Sequence, residues 1–414
     1  MQRELQLLAI GMAIRTFGAA LYNPFLALFL YAILHVGYLE IGIIFVGLGA
    51  VQLPFGLAGG FWTDRVGRRN LICLGLATET VITAALAYAF DIKSLVVAIA
   101  AAAIGGALLA ATGAAYSAYI ADLTSGSERT LGFTWYRVAF NAGYAAGVAI
   151  GGSLVAVIGF TGSITIAAII IAGATAFVVV FLGPSPFDLA LRAGKRPVIE
   201  PDTAATPRRT TRESFALLLR DRTALLTATA LALVVLTASQ WNVTYSLFVH
   251  NKLGISYAYL GIGLALNGLV VVFGQTFTTH RVLGARHTLI AILGGLFYVS
   301  AYLLLGVSAL WVLFPVGLFF AATIILTFGE NLLSIPETTL PSNLAPAGEI
   351  GAYNGAFGTF LGSASVAAVF FGGAVLSAVA NPLWEWVLLI LPAIPGMIML
   401  RLVGRRIPYA VDRA

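Results

Sequence analysis

The chain alternates between long apolar runs and short polar segments. Each run extends over about 20 residues or more, enough to cross ~30 Å of hydrocarbon as a helix. Helices are expected because each one satisfies its own backbone hydrogen bonds in lipid. The pattern therefore predicts twelve membrane spans, numbered in chain order, at roughly 5–33, 39–63, 69–90, 94–121, 131–157, 161–183, 222–251, 256–280, 286–307, 310–340, 350–378 and 382–403.

The composition agrees with this pattern. Of the 414 residues, 60% are hydrophobic and 10% are charged, whereas soluble domains carry about 25% charged residues. The single cysteine, Cys73, excludes an intrachain disulfide and makes a cysteine metal site unexpected. No nucleophile, metal or carboxylate constellation stands out, so we expect a non-enzymatic membrane protein without a cofactor or metal.

The basic residues predict an orientation. If the N-terminus is cytoplasmic, the segments on that side hold 19 Arg and Lys residues, and the opposite loops hold only Lys93 and Lys252. Basic residues concentrate on the cytoplasmic side of membrane proteins, so we predict a multi-pass plasma-membrane protein with both termini cytoplasmic. The first apolar run is too long for a cleaved signal peptide and is interpreted as span 1.

A polar segment divides the chain. Residues 184–221 are rich in Pro, Arg, Thr and acidic residues and predict a cytoplasmic linker, with an amphipathic helix around 213–220. This leaves six-span bundles at 1–183 and 222–414. The positive charge of the linker follows from the predicted topology, so nucleic-acid binding is not needed to explain it.

The two bundles carry a faint repeat. The turn after span 2 reads Asp64–Arg69, and the turn after span 8 reads His280–His287 as a decayed copy. Six plus six spans with an internal repeat are typical of transporters whose halves rock about a central site. We therefore predict two pseudo-symmetric six-helix bundles.

The most specific string lies between spans 2 and 3, and reads Gly60-Phe61-Trp62-Thr63-Asp64-Arg65-Val66-Gly67-Arg68-Arg69. Gly67 permits a tight turn, Asp64 can cap a neighbouring helix N-terminus, and Arg68 can reach Asp122 at the end of span 4. Such a cluster could latch the halves in one state and release them in another. A plain turn with basic residues is the simpler alternative, but it does not require Asp64.

This string resembles the GxxxDRxGRR signature of the major facilitator superfamily. The resemblance extends to the twelve spans, the long central loop and the decayed copy after span 8. It implies the major facilitator fold, an all-α integral membrane protein built from two bundles. It also implies a conformational lock made of Gly60, Asp64, Arg65, Gly67, Arg68, Arg69 and Asp122.

Span 5 carries small residues four apart, which allow close helix packing in lipid. They are Gly143, Gly147, Gly151 and the adjacent Gly152. The pattern is similar to the GxxxGPxxGG signature of drug:proton antiporters in this superfamily, although Val148 stands where that signature has proline. Helix packing without any antiporter-specific role is the alternative.

Ionisable side chains inside spans need a partner or an aqueous cavity, because each costs at least ~2.5–3.5 kcal/mol at mid-bilayer. Arg15, Glu79, Arg137 and Glu330 lie well inside spans 1, 3, 5 and 10. Low-dielectric surroundings favour the neutral form of a carboxylate, so Glu330 and Glu79 are candidate proton carriers. The alternative is a static ion pair with Arg15 or Arg137.

Polar stripes on the spans predict a central substrate cavity lined by Arg15, Tyr22, Asn23, Arg137, Asn141, Tyr144, Gln240, Trp241, Tyr245, Asn267 and Glu337. For Arg15, contact with an anionic substrate and structural pairing both remain open. Trp241 and Tyr245 could stack on substrate or simply pack. Glu385, which lies between two tryptophans near the start of span 12, is interpreted as part of an interfacial belt.

The leading prediction is a secondary active transporter that moves a small solute by alternating access, as a proton-coupled exporter of drug-like or amphiphilic compounds. A proton-coupled metabolite carrier for sugars or organic anions is the alternative, and unpaired arginines at 15 and 137 would favour an anion. A membrane sensor that kept the fold but lost transport is a third interpretation. The expected partners are the lipid bilayer, a small-molecule substrate and protons, without nucleic acid, and the expected assembly is a monomer.

Overall fold

The computed structural model describes residues 2–124, 126–194, 219–310, 314–346 and 349–413. The amphipathic helix predicted around 213–220 lies outside these ranges except for its last two residues. The helices of the N-terminal part are α1 Gln2–Ala20, α2 Leu26–Leu34, α3 Tyr38–Val66, α4 Arg68–Asp91, α5 Leu95–Leu123, α6 Gly126–Phe181 and α7 Pro186–Arg192.

The helices of the C-terminal part are α8 Arg222–Ala238, α9 Thr244–Asn251, α10 Tyr257–Val282, α11 His287–Ser308, α12 Pro315–Leu344, α13 Ile350–Ala378, α14 Pro382–Ile390 and α15 Ala393–Gly404. Within the described ranges, 11 helical segments are long and apolar enough to cross a membrane. The count is one below twelve because spans 5 and 6 are counted as one segment within α6, although they are two helices that meet at a kink. Gly159, at φ 73°, marks the break between them. The all-helical membrane fold predicted from the sequence is confirmed.

Spans 1 and 7 are each broken at corresponding positions. A short 3-10 turn at Asn23–Phe25 separates α1 from α2, and another at Ser239–Trp241 separates α8 from α9. Pro24 contributes to the first break because proline lacks a backbone N–H. Discontinuous helices at matching positions of two repeats are a structural pointer to a binding site in transporters.

The chain divides into two compact units. Unit one comprises Met1–Ile199 and Ser256–Gly268, and unit two comprises Glu200–Ile255 and Leu269–Ala414. The predicted division at 183 and 222 is similar, but the first half of α10 groups with unit one. The start of the predicted linker also belongs to unit one, because α7 packs against α4 and α5.

Unit one is held together by close contact between α1 and α6. A Cβ added at Gly143 or Gly147 would overlap backbone atoms of α1, and one added at Gly151 would overlap the backbone of Leu21 directly after it, so the small residues let the two segments touch. Gly152 instead faces Tyr257 in the first half of α10, and the neighbouring Val148 is fully buried. The glycines of span 5 therefore permit close packing on two sides, against span 1 and against the first half of α10.

Candidate functional site

The turn between α3 and α4 gathers charges around one guanidinium. Gly67 adopts φ 93°, a left-handed conformation that glycine adopts without steric cost, and the chain passes directly from α3 into α4. Arg68 Nη1 donates to Asp64 Oδ1 at 2.8 Å, and its Nε donates to Asp122 Oδ2 at 3.2 Å. Arg68 is only 5% exposed. Three of the predicted lock residues are therefore in direct contact.

The remaining predicted lock residues have other contacts. Arg69 donates through Nε to the Leu182 carbonyl at 2.6 Å and through Nη2 to the Val179 carbonyl at 2.7 Å, which binds the C-terminal end of α6. Arg65 stacks over the Phe61 ring with Cζ 4.1 Å from the centroid. At Gly60 an added Cβ would meet open space, so packing in this structure gives no reason for a glycine there.

Sequence reasoning missed the short helix α7 as part of this cluster. The Asp188 carboxylate accepts from the backbone N–H of Arg68 at 2.6 Å and of Arg69 at 3.1 Å. The carboxylate that caps α4 is therefore Asp188, whereas Asp64 binds the Arg68 side chain. Ser185 Oγ donates to Asp122 at 2.9 Å. We call Asp64, Arg68, Asp122, Ser185 and Asp188 the α4 cluster.

A local signal could have revealed α7. Ser185 and Asp188 form a reciprocal capping box with Pro186 at the start of the helix, and this spacing is typical of a helix N-terminus. Phe187 follows the proline, and its ring centroid lies 3.2 Å from Arg68 Cζ. The pattern predicts a helix after span 6, although it does not predict which helix that segment contacts.

The corresponding turn in unit two is built from the end of the chain. The Asp412 carboxylate accepts from Thr288 N at 2.9 Å and Thr288 Oγ1 at 2.6 Å, at the start of α11. Arg286 Nη1 lies 3.7 Å from Asp412 Oδ2 and also donates to the Gly404 carbonyl. We call Arg286, Thr288 and Asp412 the α11 cluster. The interpretation of this turn as a decayed copy is therefore incomplete, because a charge pair is retained with a distant partner.

Two of the charges predicted inside spans form a buried ion pair in unit one. Arg15 Nε donates to Glu79 Oε2 at 2.7 Å, and Arg15 Nη2 donates to Glu79 Oε1 at 2.8 Å. The side chains are 9% and 12% exposed. This forked geometry is the strong form of an arginine–carboxylate pair, and it favours structural pairing for Arg15. A role for Glu79 in proton coupling stays a prediction.

Arg137 has a different environment. It is exposed, and it makes no ion pair or hydrogen bond with any residue that the structure describes. Three turns further along α6, on the same face, Val148 packs against the first half of α10. Arg137 therefore lies on the same face of α6 as Val148, with the half-buried Asn141 and Tyr144 one and two turns away.

Two carboxylates lie on one face of α12 in unit two. Glu330 and Glu337 are seven residues apart, about 10 Å along the helix axis, and they interact electrostatically. Both also interact with Tyr298 of α11. Both carboxylates are half-buried. This arrangement places two acidic groups and a phenol together inside the membrane-spanning part of unit two.

The sequence profile described as Major Facilitator Superfamily matches residues 8–369. The chain belongs to the major facilitator superfamily. The uncharacterized MFS-type transporter YttB of Bacillus subtilis (strain 168) is 25% identical over 378 residues, which cover 91% of this chain and 89% of the relative. The class D tetracycline resistance protein of Salmonella ordonez is 36% identical over 111 residues, 27% of each chain.

A solved structure of a POT family transporter in complex with 5-aminolevulinic acid has the same fold. Its TM-score is 0.73 at 16% identity, and the match covers 97% of this chain and 95% of that one. At this identity the likeness concerns the fold alone.

Two of the side chains predicted to line the central cavity are buried in the interior of unit two instead. Gln240 is fully buried and donates to the Leu236 and Ala368 carbonyls at 3.2 and 3.1 Å. Tyr245 is also fully buried, with its hydroxyl 2.5 Å from Thr323 Oγ1. Their polar atoms are used within unit two, so we correct the prediction that they line a cavity.

Other predicted cavity residues lie at or near the helix breaks. Asn23 is exposed and Tyr22 is half-buried at the break in span 1. Trp241 is half-buried at the break in span 7, with its ring centroid 4.5 Å from that of Tyr245. Asn267, in the first half of α10, is 7% exposed. Of these four residues, the three that are half-buried or exposed lie in or directly beside the 3-10 turns.

The interpretation of Glu385 as part of an interfacial belt is wrong. Glu385 is fully buried, and Lys252 Nζ lies 3.0 Å from its Oε1. Trp386 is buried as well, with its ring centroid 4.5 Å from that of Tyr302. Only Trp384, at 58% exposed, fits the predicted belt.

Proposed function

We propose that this member of the major facilitator superfamily is a secondary active transporter that moves a small solute by alternating access and is coupled to protons. We further propose that it exports drug-like or amphiphilic compounds. The observation that carries the proton coupling is the pair of half-buried carboxylates at Glu330 and Glu337, which lie two turns apart on one face of a single span.

The reason is electrostatic. Removing a carboxylate from water disfavours its charged form, and a second carboxylate nearby disfavours it further. In our proposal, Glu330 and Glu337 hold a proton when their surroundings exclude water and release it when water enters. Such a cycle links proton movement to the conformational change of a transporter.

The α4 cluster supplies a candidate for the conformational lock. Arg68 binds Asp64 and Asp122 at once, so a movement of α3 or α5 changes two ion pairs together. We propose that this network biases the transporter toward one access state. The partial similarity to a tetracycline resistance protein supports export, and Val148 in place of the antiporter proline weakens that support.

A second candidate function is a carrier of organic anions. It is favoured by Arg137, which has no partner among the described residues although a charge inside a span is costly. A carboxylate or phosphate on the substrate would neutralise this arginine during transport. Arg15 does not add to this case, because Glu79 already neutralises it.

The test of proton coupling is a flux measurement in proteoliposomes under an imposed pH gradient. A screen of cationic, neutral and anionic solutes first identifies a transported compound. Glu330→Gln and Glu337→Gln are then compared with Glu40→Gln, which changes an exposed carboxylate in unit one. At least one of the first two is expected to abolish pH-driven flux while keeping solute exchange, and the control is expected to keep both. Unchanged pH-driven flux in both variants and in their double mutant would overturn the coupling proposal.

The anion candidate is tested with the same vesicles. Arg137→Gln is expected to raise the KM for an anionic solute at least tenfold, because a charge-assisted hydrogen bond is worth about 1.5–3 kcal/mol, and to leave neutral solutes unaffected. Equal effects on anionic and neutral solutes would count against a role in recognition. Arg137→Lys keeps the charge and is expected to retain most of the anion flux.

A further inference from the structure

Unit two contains a fully buried carboxylate that the proposed proton pathway does not use. Glu385 lies in the first turn of α14, at the opposite end of the unit from the α11 cluster, and it is 0% exposed. Its ion-pair partner is Lys252, directly after α9 and 24% exposed. The other described loop residues at this end, 308–310, 314–315 and 378–384, carry no Asp, Glu, Lys or Arg. Glu385 and Lys252 therefore neutralise each other or rely on protons.

The pairing of Glu385 is incomplete. Lys252 approaches Oε1 at 3.0 Å, yet neither oxygen of Glu385 has an aligned hydrogen-bond donor in the described residues. Buried carboxylates that stay ionised usually accept several hydrogen bonds in addition to a countercharge. The Trp386 indole N–H beside it and the Asn251 amide beside Lys252 are also buried without a partner. Apart from the N-terminal end of α14, which favours a negative charge in its first turn, the ammonium group of Lys252 is the countercharge of this carboxylate among the described residues.

Lys252 and Glu385 lie on two segments that are held in the fold in different ways. Lys252 follows α9, which is set apart from α8 by the 3-10 turn Ser239–Trp241 and by Val243 in a non-helical conformation. Glu385 is on α14, whose start is fixed by Asn381 accepting from Leu383 N at 3.0 Å. α9 also contacts α14 through Phe248 and Trp386, whose ring centroids are 5.2 Å apart. The exchange proposed below requires α9 to shift at the break, so that Lys252 moves relative to Glu385.

We propose that Glu385 is a proton-binding site at which Lys252 and a proton are alternative neutralising partners. When α9 carries Lys252 toward water, the carboxylate of Glu385 takes up one proton from the aqueous phase at this end of the unit and becomes neutral. Lys252 keeps its own proton and is solvated. When α9 returns, the ammonium group replaces the proton, which leaves to water. The coupling of this exchange to solute movement rests on the proposed function, and the exchange itself does not.

Among the titratable groups on the elements packed around Glu385, Lys252 is the one that can take part in this exchange. On α9, His250 has its Nδ1 2.8 Å from the Ile255 carbonyl. From α11, Tyr302 lies against Trp386 and donates to the Ala238 carbonyl at 2.9 Å. The facing half of α13, residues 365–378, contains no titratable side chain. Lys252 is therefore the cation whose departure changes the charge at Glu385.

Infrared spectroscopy of the purified full-length protein tests this exchange without any transport assay. Lys252→Met is expected to gain one protonated-carboxyl band at neutral pH, because Glu385 then has only a proton to neutralise it. The double variant Lys252→Met/Glu385→Gln is expected to lack that band. Lys93→Met removes a lysine that lies beyond a different helix, α4, in unit one, and is expected to gain nothing. A Lys252→Met protein without the new band, or a double variant that retains it, would overturn the proposal.

A second measurement covers the case in which Lys252→Met does not fold. Glu385→Gln keeps the shape of the side chain and imitates the protonated state. Amide hydrogen exchange in α9, corrected for intrinsic rates, is expected to rise in the wild type as the pH falls and to be high at every pH in Glu385→Gln. The same pH dependence in both proteins would contradict the proposal. A wild type without any proton-driven flux would refute the proposed function and leave these two measurements interpretable.

Discussion

Unit one and unit two each contain a tight turn in which a glycine with positive φ shortly precedes a helix. Gly67 has φ 93° at the start of α4, and Gly284 has φ 81° three residues before α11. In each unit a carboxylate from the segment that follows the last span accepts backbone N–H groups in the first turn of that helix. Asp188 does so in unit one and Asp412 in unit two.

The two turns differ in the additional carboxylates. Arg68 is bound by Asp64 and Asp122, and its side chain is 6% exposed. Arg286 has only Asp412 as an ion-pair partner within the described residues, and its side chain is 32% exposed. The penultimate residue of α5 is Asp122, and the penultimate residue of α12 is Asn343. The capping carboxylate is therefore a feature of the turn in both units. The two additional carboxylates of unit one, Asp64 and Asp122, are not required to form such a turn.

The largest expected effect comes from removing the arginine of each cluster. Arg68→Ala leaves Asp122 without its charged partner, and breaking a buried pair costs about 3–5 kcal/mol. Arg286→Ala is expected to cost less, about 1–3 kcal/mol, because Arg286 lies 3.7 Å from Asp412 and the buried Asp412 carboxylate keeps its two hydrogen bonds from Thr288. Thermal unfolding of the detergent-solubilised proteins measures the difference. Equal losses of stability would break the distinction between the two clusters.

The glycines give the next largest difference. Alanine in the left-handed region costs about 1–2 kcal/mol, and this applies to Gly67→Ala and Gly284→Ala alike. At 67 the new Cβ would also lie 2.6 Å from Asp188 Oδ1, whereas at 284 the nearest atoms are 3.8 Å away. Gly67→Ala is therefore expected to lose about 1 kcal/mol more, the value of a helix cap. A larger loss at 284, measured by the same unfolding method, would contradict this account.

The capping carboxylates are expected to behave alike. Asp188→Ala and Asp412→Ala each remove a side chain that binds the first turn of a helix, which is worth about 0.5–2 kcal/mol. Similar losses of stability would sharpen the comparison by showing that this part is common to both units. Asp188→Asn and Asp412→Asn are the matched controls, since an amide oxygen still accepts. A loss confined to one unit would show that the shared geometry has no shared energetic role.

The smallest effect on stability and the clearest effect on function are expected at Asp122. Asp122→Asn gives unit one the residue that unit two has at position 343, and it is expected to change the free energy of unfolding by at most about 1 kcal/mol. If the extra carboxylates form a lock, cysteine probes on the two membrane faces will show altered accessibility. Identical accessibility in wild type and variant would refute the lock. Glu40→Gln removes an exposed carboxylate outside the α4 cluster and serves as the control.

Much of the fold follows from hydropathy alone. Each span predicted from an apolar run is helical within the described residues, because a helix satisfies its own backbone hydrogen bonds in lipid. The breaks at Asn23–Phe25 and Ser239–Trp241 could not be predicted in this way, since apolar composition does not report backbone continuity. The break between spans 5 and 6 was predictable, because Gly159 lies in the gap predicted between residues 157 and 161.

The candidate site divides along similar lines. Asp64, Arg68 and Asp122 were predictable because two of them share a turn and the third lies at the end of a neighbouring span. Asp188 lies 120 residues from Arg68, and Asp412 lies 124 residues from Thr288, so their contacts depend on tertiary packing. Glu385 was misinterpreted because a carboxylate beside tryptophans at a span terminus is typical of an interface, and its burial depends on the packing of α9 and Lys252.

The most direct test of the account is proton movement by the wild-type protein in sealed proteoliposomes that contain a pH-sensitive dye. Addition of a transported solute without an imposed gradient is expected to change the internal pH, and a protonophore is expected to abolish the change. Glu330→Gln/Glu337→Gln vesicles are expected to show solute exchange without the pH change. Solute flux in the wild type without any accompanying proton movement would contradict proton-coupled transport.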